Sequence, residues 1–156
     1  MFHNSDERDQ ACMTQALVLA QQAFDEGEVP IGALVVDATG KIIGSGYNQI
    51  EKQQSQIAHA EISALRQAAH ARGDWRLGGC TLYVTIEPCT MCYGALRLSR
   101  IDRLVFGASS PVFGYHLDKD SFLSVYNNDT LLIKEGIMKE ECAKLVRRFF
   151  EQKRKQ

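Results

Sequence analysis

Helical and strand-like segments alternate along this chain after an opening pair of strands, and that order strongly restricts the folds available to it. Apolar residues at helical spacing predict a first helix: Met13, Leu17, Ala20 and Phe24. Asn4 or Ser5 would cap its start and Gly27 its end. Two apolar runs over residues 31–37 and 41–48 flank a short turn, so they predict a β-hairpin.

The rest of the chain continues the alternation of helix and strand. The further predicted elements are a helix over 58–71, a central strand over 81–87, a helix over 89–98, a strand over 101–108, a weaker strand over 131–137 and a helix over 139–152. The helix over 58–71 is expected to place Ile62, Leu65 and Ala69 on one face. Residues 109–126 are expected to be irregular or partly helical. The order predicts an α/β fold, a three-layer α/β/α sandwich with a five-stranded mixed sheet. The hairpin would form its antiparallel edge, and the later crossovers would be parallel and right-handed.

Length and composition favour one soluble domain over residues 1–156. The chain is 45% hydrophobic and 24% charged, which is too apolar for a disordered protein. It has no apolar run of about 18 residues, so no membrane span is expected. Its first ten residues are polar and acidic, unlike a signal peptide, so a cytoplasmic location is expected.

Charge is nearly balanced overall at −1, but it is unevenly distributed. Residues 139–156 contain seven Lys and Arg against three Glu, a local charge of +4 that leaves −5 on the remainder. A basic end on an acidic body is compatible with a polyanionic partner. It is equally compatible with a solvated helix end, where basic side chains suit the helix dipole.

Five cysteines in a chain without an export signal are unlikely to form disulfides. Cys12, Cys80 and Cys142 lie in apolar contexts and are expected to be buried core thiols. Cys89 and Cys92 differ, because they form a CxxC pair at the expected start of a helix.

Two short motifs together predict a metal site. His59-Ala60-Glu61 begins one predicted helix, and 30 residues after His59 the Cys89–Cys92 pair, preceded by Pro88, begins the next. Zinc takes thiolate and imidazole ligands in tetrahedral sites, and a helix N-terminus stabilises thiolates. His59, Cys89 and Cys92 would therefore hold Zn²⁺ with a fourth position open to a catalytic water.

The other histidines are weaker ligand candidates. His70 lies about three turns further along its helix. His3 and His116 fall in polar segments where exposure is expected.

Glu61 is the candidate general acid and base, because a carboxylate near a zinc-bound water can move its proton. Residues two apart point in roughly opposite directions on a regular helix, so spacing alone does not place Glu61 at the metal. The interpretation requires His59 in the first turn, with Glu61 reaching the same cavity. A lone CxxC could equally be a redox pair, but the combination of HxE with PCxxC is typical of zinc nucleobase deaminases.

At these motifs the chain resembles the cytidine deaminase-like superfamily and, within it, the bacterial tRNA-specific adenosine deaminases. The resemblance covers residues 6–153 and is carried by segments 28–33, 46–48, 58–62, 81–92, 100–101, 105–108 and 149–150. It implies hydrolytic conversion of the wobble adenosine of a tRNA anticodon to inosine, with one Zn²⁺ per subunit. It also implies a homodimer whose sites are completed at the subunit interface.

The resemblance assigns roles to individual residues. It makes His59, Cys89 and Cys92 the zinc ligands and Glu61 the proton shuttle. Asn48 would hydrogen-bond the base, although a turn-forming role is the alternative. Val29 and Ile86 would pack on the faces of the base, and packing in the protein core is the alternative role for both. The C-terminal residues implied to meet the RNA are Phe149, Arg147, Arg148, Lys153 and Arg154, with at least one of the two adjacent phenylalanines expected in the core.

One segment departs from the family pattern. Where the family usually has a basic and then an acidic residue, this chain has Ser109-Ser110-Pro111, followed by Val112, Phe113 and Tyr115 in place of small residues. Ser110 could still hydrogen-bond a ribose hydroxyl, but without charge. A free-base or nucleoside deaminase acting on guanine, cytosine or cytidine is the alternative enzyme. A zinc-stabilised binding module would need a fourth ligand and no Glu61.

Overall fold

The computed structural model describes residues 4–118 and 130–156, so the sequence prediction for residues 119–126 lies outside the described residues. The elements in chain order are α1 (Ser5–Asp25), β1 (Gly32–Val36), β2 (Ile42–Tyr47), α2 (Ile50–Gln53), α3 (Ala60–Arg72), β3 (Thr81–Ile86), α4 (Thr90–Leu98), β4 (Arg103–Ala108), a 3₁₀ turn (Tyr115–Leu117), β5 (Leu132–Glu135) and α5 (Lys139–Arg154). The four-residue α2 was not predicted, because it is too short to show a helical period.

The five strands form one mixed sheet in the order β2-β1-β3-β4-β5. β1 pairs antiparallel with both β2 and β3, whereas β3, β4 and β5 are mutually parallel neighbours. The β1–β2 hairpin therefore forms an antiparallel edge, and β3 is central, as the sequence predicts. Because β3 and β4 are parallel, their carboxyl ends lie side by side, with Ile86 opposite Ala108.

The sheet carries one layer of helices on each face. Ala33 and Val35 of β1 belong to a core cluster formed with α3 and α4. Leu34 and Val36 point to the opposite face and belong to a cluster formed with α1 and α5. This alternation confirms the three-layer α/β/α sandwich, since successive strand residues face opposite sides of a sheet.

Helix α1 begins and ends where its sequence predicts. The Asn4 side chain accepts a hydrogen bond of 2.8 Å from the backbone N–H of Glu7, which caps the N-terminus. Two residues after Asp25, Gly27 has φ of +80° and turns the chain away from the helix axis.

Helix α3 packs unusually close to β2 because both contribute small residues. A Cβ on Gly44 would lie 2.2 Å from the carbonyl oxygen of Ala64 and 2.8 Å from the backbone nitrogen of Ala68. The buried face of α3 consists of Ala60, Glu61, Ala64, Leu65 and Ala68. Of the residues expected on that face, Leu65 is buried as predicted, whereas Ile62 and Ala69 are only half-buried. The difference arises because alanines rather than larger side chains meet the glycine-bearing strand.

A buried carboxylate ties α1 to the sheet. Asp9 is fully buried, and its two oxygens each accept a 2.7 Å hydrogen bond from the Arg103 guanidinium. Tyr83 donates to the same carboxylate at 2.8 Å and Lys134 at 3.0 Å. Burial by itself raises the pKa of Asp9, but the hydrogen bonds from Arg103, Tyr83 and Lys134 outweigh it and lower that pKa to about 2.

Two further sequence predictions concern the whole chain. All five cysteines are free thiols, and Cys12, Cys80 and Cys142 are buried in the core as predicted. No helix within residues 4–118 or 130–156 is both long and apolar enough to cross a membrane.

Candidate active site

The N-termini of α3 and α4 bring together the three residues predicted to bind metal. His59 immediately precedes α3, and Cys89 immediately precedes α4, each in extended backbone geometry. Cys92 lies in the first turn of α4 and is fully buried. The His59 Nδ1 atom lies 3.7 Å from the Cys89 Sγ atom and 3.4 Å from the Cys92 Sγ atom.

These distances fit a tetrahedral zinc ion. Zn–S bonds of about 2.3 Å and Zn–N bonds of about 2.0 Å at a tetrahedral angle separate a ligating nitrogen and sulfur by about 3.5 Å. All three ligand atoms lie within 4.8 Å of one another. Among the described residues, this is the cluster of potential metal ligands that is compact enough to hold an ion. The residues therefore fit one Zn²⁺ with three protein ligands, which is the pattern of a catalytic rather than a structural site.

The remaining histidines do not join this cluster. His70 is exposed in the last turn of α3, at the opposite end from the metal ligands. His116 is partly exposed, as expected, and pairs with the buried Glu87. His3 lies outside the described residues. The described part of the chain thus supplies no fourth protein ligand, which a zinc-stabilised binding module would need.

Glu61 lies at the metal cluster even though it is only two residues from His59. Its Oε2 atom is 4.0 Å from the His59 Nδ1 atom, and its side chain is buried. The sequence analysis had placed His59 in the first helical turn, but the residue precedes the helix with φ of −82° and ψ of 152°. Extended backbone at His59 turns its ring towards the Glu61 side chain, so the two residues are not held on opposite faces.

The electrostatics of the cluster suit both metal binding and proton transfer. Burial raises the pKa of Glu61, which favours a carboxyl able to take up and hold a proton. Hydrogen bonding from Cys92 and then from His59 lowers the pKa of the Cys89 thiol to about 4. The hydrogen bond to Cys89 in turn raises the pKa of His59. A thiolate at Cys89 is the form that binds metal.

Asn48 connects the end of β2 to the start of α3. It is buried, and its Oδ1 atom accepts a 2.9 Å hydrogen bond from the backbone N–H of Ala60. With Oδ1 engaged in this way, the amide NH₂ group is the donor that Asn48 can offer to a ligand. Val29 and Ile86, predicted to contact the base, are both half-buried.

Two buried glutamates near the site were missed by the sequence analysis. Glu28, next to Val29, accepts hydrogen bonds from the backbone N–H groups of Glu51 at 3.2 Å and Lys52 at 2.9 Å, and so caps α2. Glu87, two residues before Cys89, is also buried. Glu87 stands between an apolar strand and the PCxxC motif, which was a signal that could have found it, whereas Glu28 follows the polar residues 25–27 and carries no such signal.

The loop after β4 is bound to the Glu87 carboxylate. The backbone N–H of Ser110 donates to Oε1 at 3.0 Å, and the backbone N–H of His116 donates to Oε2 at 3.0 Å. The His116 Nδ1 atom lies 2.6 Å from Oε2. Ser110, a predicted substrate contact, is therefore held in a loop that adjoins the metal-binding segment.

The C-terminal helix presents its basic residues to solvent but buries one of the predicted contacts. Phe149 is 7% exposed and packs edge-on against Phe24 at 5.8 Å, whereas Phe150 is 45% exposed. Phe149 falls in the core because it continues the buried face formed by Cys142 and Leu145. This placement confirms that one phenylalanine of the pair is core, while contact of Phe149 with the substrate stays a prediction. The exposed basic residues are Arg147, Arg148, Lys153 and Arg154.

Comparison with known proteins agrees with this geometry. Residues 6–108 match the family described as the cytidine and deoxycytidylate deaminase zinc-binding region. A tRNA-specific adenosine deaminase of Haemophilus influenzae is 45% identical over 96% of this chain and 87% of its own length. One from Buchnera aphidicola is 48% identical over 94% of this chain and 97% of its own length. A structure from a study of A-to-I editing by tRNA:A34 deaminases superposes with a TM-score of 0.79 at 38% identity, covering 86% of this chain and 98% of that one.

Proposed function

Since the chain belongs to the family of tRNA-specific adenosine deaminases, we propose that it hydrolyses the C6 amino group of adenosine at the wobble position of a tRNA anticodon. The products are inosine and ammonia. The observation that carries the proposal is the metal-binding cluster of His59, Cys89 and Cys92 with the buried carboxyl of Glu61 4.0 Å from His59.

The proposed chemistry divides between the metal and Glu61. A Zn²⁺ ion held by His59, Cys89 and Cys92 would lower the pKa of a water molecule at its open position and so make water a nucleophile at neutral pH. Glu61 would accept a proton from that water at a carboxylate oxygen and deliver it to N1 of adenine as the hydroxyl adds to C6. It would then take the proton of the added hydroxyl group and deliver it to the amine, which leaves as ammonia. Burial of Glu61 supports this role, because its raised pKa allows it to hold the proton between the two transfers.

Recognition of the base would come from the walls around this cluster. The Asn48 NH₂ group would donate to an acceptor on the purine, while Val29 and Ile86 would pack on its faces. The hydrogen bond from Ala60 to Asn48 supports the role, since it fixes the amide at the start of the helix that also carries Glu61. A wobble adenosine suits such a pocket because unstacking a base costs least in a single-stranded loop.

The rest of the anticodon loop would meet basic side chains. The proposed RNA contacts on α5 are Arg147, Arg148, Lys153 and Arg154, all exposed. The exposed ring of Phe150 is better placed for stacking than the buried Phe149. On the other side, Ser110 would hydrogen-bond a ribose hydroxyl. We further propose that residues 1–156 act as one domain, in a homodimer, in the cytoplasm where tRNA is processed.

The test is inosine formation by zinc-loaded protein on an anticodon stem-loop with adenosine at the wobble position. Parallel reactions contain free adenosine, guanine, cytosine or cytidine, and a Glu61→Gln variant is the matched control. Inosine in the RNA alone, absent in Glu61→Gln with its zinc retained, is the expected result. Ammonia released from a free base with the RNA unchanged would instead identify a small-molecule deaminase.

A further inference from the structure

We propose that Glu87 is a positioning residue, which holds the loop of residues 109–118 against the metal-binding segment and thereby places Ser110 for contact with the RNA. This inference rests on the proposed function. Neither Glu87 nor His116 emerged as a functional residue from the sequence motifs, and neither is among the residues assigned above to metal, base or proton transfer.

The Glu87 carboxylate is matched to donors from a single loop. Its side chain is 1% exposed, and it accepts from the backbone N–H of Ser110, the backbone N–H of His116 and the His116 ring. The partners that the described residues supply to this carboxylate all lie 23 to 29 positions further along the chain. Burying a carboxylate costs free energy unless hydrogen-bond donors such as these satisfy it. The buried position of Glu87 and the conformation of the loop therefore depend on each other.

The same loop is attached to the segment that carries a metal ligand. Gly114 forms an isolated antiparallel bridge with Cys89, and the backbone N–H of Tyr115 donates to the carbonyl oxygen of Pro88 at 2.9 Å. Thr90, the first residue of α4, donates from its hydroxyl to Asp118 at 2.5 Å. The loop therefore runs alongside the Glu87–Thr90 segment, so any displacement of the loop moves it relative to the metal site.

The loop approaches Glu87 so closely at Gly114 that a side chain there would collide with the carboxylate. A Cβ built on Gly114 would lie 2.5 Å from the Glu87 carboxyl carbon. Tyr115 then packs its ring flat on Tyr93 of α4, with centroids 4.2 Å apart. The loop is thus seated on α4 by one charged anchor and one aromatic contact.

Sheet formation does not require the charged anchor. β3 and β4 are already paired beyond Ile86 and Ala108, because the backbone N–H of Glu87 donates to the carbonyl oxygen of Ala108 at 2.8 Å. The side chain adds nothing to that ladder, and within residues 4–118 and 130–156 its hydrogen bonds go to the loop. A role in fixing the position of Ser110 accounts for a buried charge that strand pairing leaves unexplained.

The anchor also leaves the Ser110 hydroxyl available as a donor. Its backbone N–H is taken by Glu87, and its Oγ atom accepts a 3.3 Å hydrogen bond from the backbone N–H of Phe113. A hydroxyl that accepts through one lone pair still carries its own O–H. That O–H matches an acceptor such as a ribose or phosphate oxygen of the RNA.

The first experiment needs no substrate. Amide hydrogen exchange of Ser110 and His116 is followed by NMR in the zinc-loaded protein and in Glu87→Gln. A glutamine has one acceptor oxygen and an NH₂ group that opposes the remaining N–H donors, so protection at both amides is expected to fall at least about tenfold. Glu135→Gln is the matched control, since Glu135 is exposed and lines the same cavity of about 320 Å³ beside the loop.

The second experiment measures inosine formation on the anticodon stem-loop. Because the Ser110 contact would bind substrate and transition state alike, Glu87→Gln is expected to raise KM about tenfold with kcat nearly unchanged. The double variant with Ser110→Ala should be no worse than Glu87→Gln alone, since both remove the same contact. If Glu87→Gln does not fold, His116→Ala removes only the ring donor and should raise KM in the same direction by a smaller factor.

The outcomes separate the two proposals. Three results together support Glu87 as a positioning residue: faster amide exchange at Ser110 and His116 in Glu87→Gln, a raised KM, and no further rise in KM when Ser110→Ala is added. Unchanged protection, or lost protection with unchanged KM in an active enzyme, overturns it. A wild-type protein that forms no inosine refutes the proposed function and the role of Ser110, while the exchange data still decide whether Glu87 holds the loop.

Discussion

Replacing Asp9 by Asn should destabilise the fold by an amount that the structure allows to be estimated. The folded-state pKa of Asp9 is about 2 and its ordinary value is 3.8. At 1.36 kcal/mol per pH unit, that difference corresponds to about 2.4 kcal/mol of stability at pH 7. Asn keeps the shape but presents an NH₂ group to the donors Arg103 and Lys134, so the loss should be at least of this order.

The effect should depend on pH in a defined direction. A carboxyl whose pKa is lowered in the folded state stabilises the protein above its unfolded-state pKa, and that contribution is lost as the pH falls through the folded-state pKa. The difference in unfolding free energy between wild type and Asp9→Asn should therefore shrink by about 1 kcal/mol between pH 7 and pH 3. Other carboxyls affect both proteins equally and cancel in the difference.

Urea denaturation at the two pH values measures this directly, and thermal melting at pH 7 gives a second estimate. A loss of about 2.4 kcal/mol lowers the Tm of a chain of this size by about 5 to 10 °C. Asp25→Asn is the control, because Asp25 is an exposed carboxylate on the same helix whose side chain meets only Gln21 in the hydrogen bonds described. A cost below about 0.5 kcal/mol for Asp9→Asn, or a difference independent of pH, would refute the assigned role of the network.

Three further changes test other parts of the structure. Cys92→Ser should abolish stoichiometric zinc binding, measured by metal analysis, because it removes a ligand. Cys80→Ser, at a buried thiol outside the cluster, should retain zinc. Equal zinc content in both variants would show that Cys92 is not a ligand. Gly44→Ala should cost more than about 2 kcal/mol of unfolding free energy because its Cβ meets the backbone of α3, while Gly78→Ala, with open space around it, should be nearly neutral. Lys153→Gln should weaken stem-loop binding and make the salt dependence of log K shallower by about 0.7 to 0.9 if this side chain contacts a phosphate, and an unchanged slope would exclude the contact.

The metal ligands could be predicted because their chemistry is local. Cys89 and Cys92 are one helical turn apart, and the residue types in the HxE and PCxxC motifs admit few other uses. The sheet could be predicted for a similar reason, since hydrophobic periodicity and the order of elements restrict how an alternating chain can pack. The three-layer sandwich and the position of β3 at its centre both follow from such patterns.

Features that depend on side-chain contacts over long sequence separations could not be predicted. Periodicity predicted Leu65 on the buried face of α3 but not Ala64 and Ala68, because the glycines of β2 decide which residues can approach it. The sequence analysis left open which of Phe149 and Phe150 is buried, and the structure shows that Phe149 packs against Phe24.

By itself, the amino-acid sequence determined the fold class, through the order of its helices and strands. It also predicted His59, Cys89 and Cys92 as zinc ligands and Glu61 as the proton carrier, through the residue types of two short motifs. Tertiary structure alone decided how Glu61 reaches His59, through extended backbone at the residue before α3. It also decided that the buried Glu87 carboxylate holds a loop 23 to 29 residues away. The first arrangement depends on the residue at which α3 begins, which motif spacing does not specify. The second arises only when folding brings donors and acceptors 23 to 29 residues apart into contact and removes water from between them.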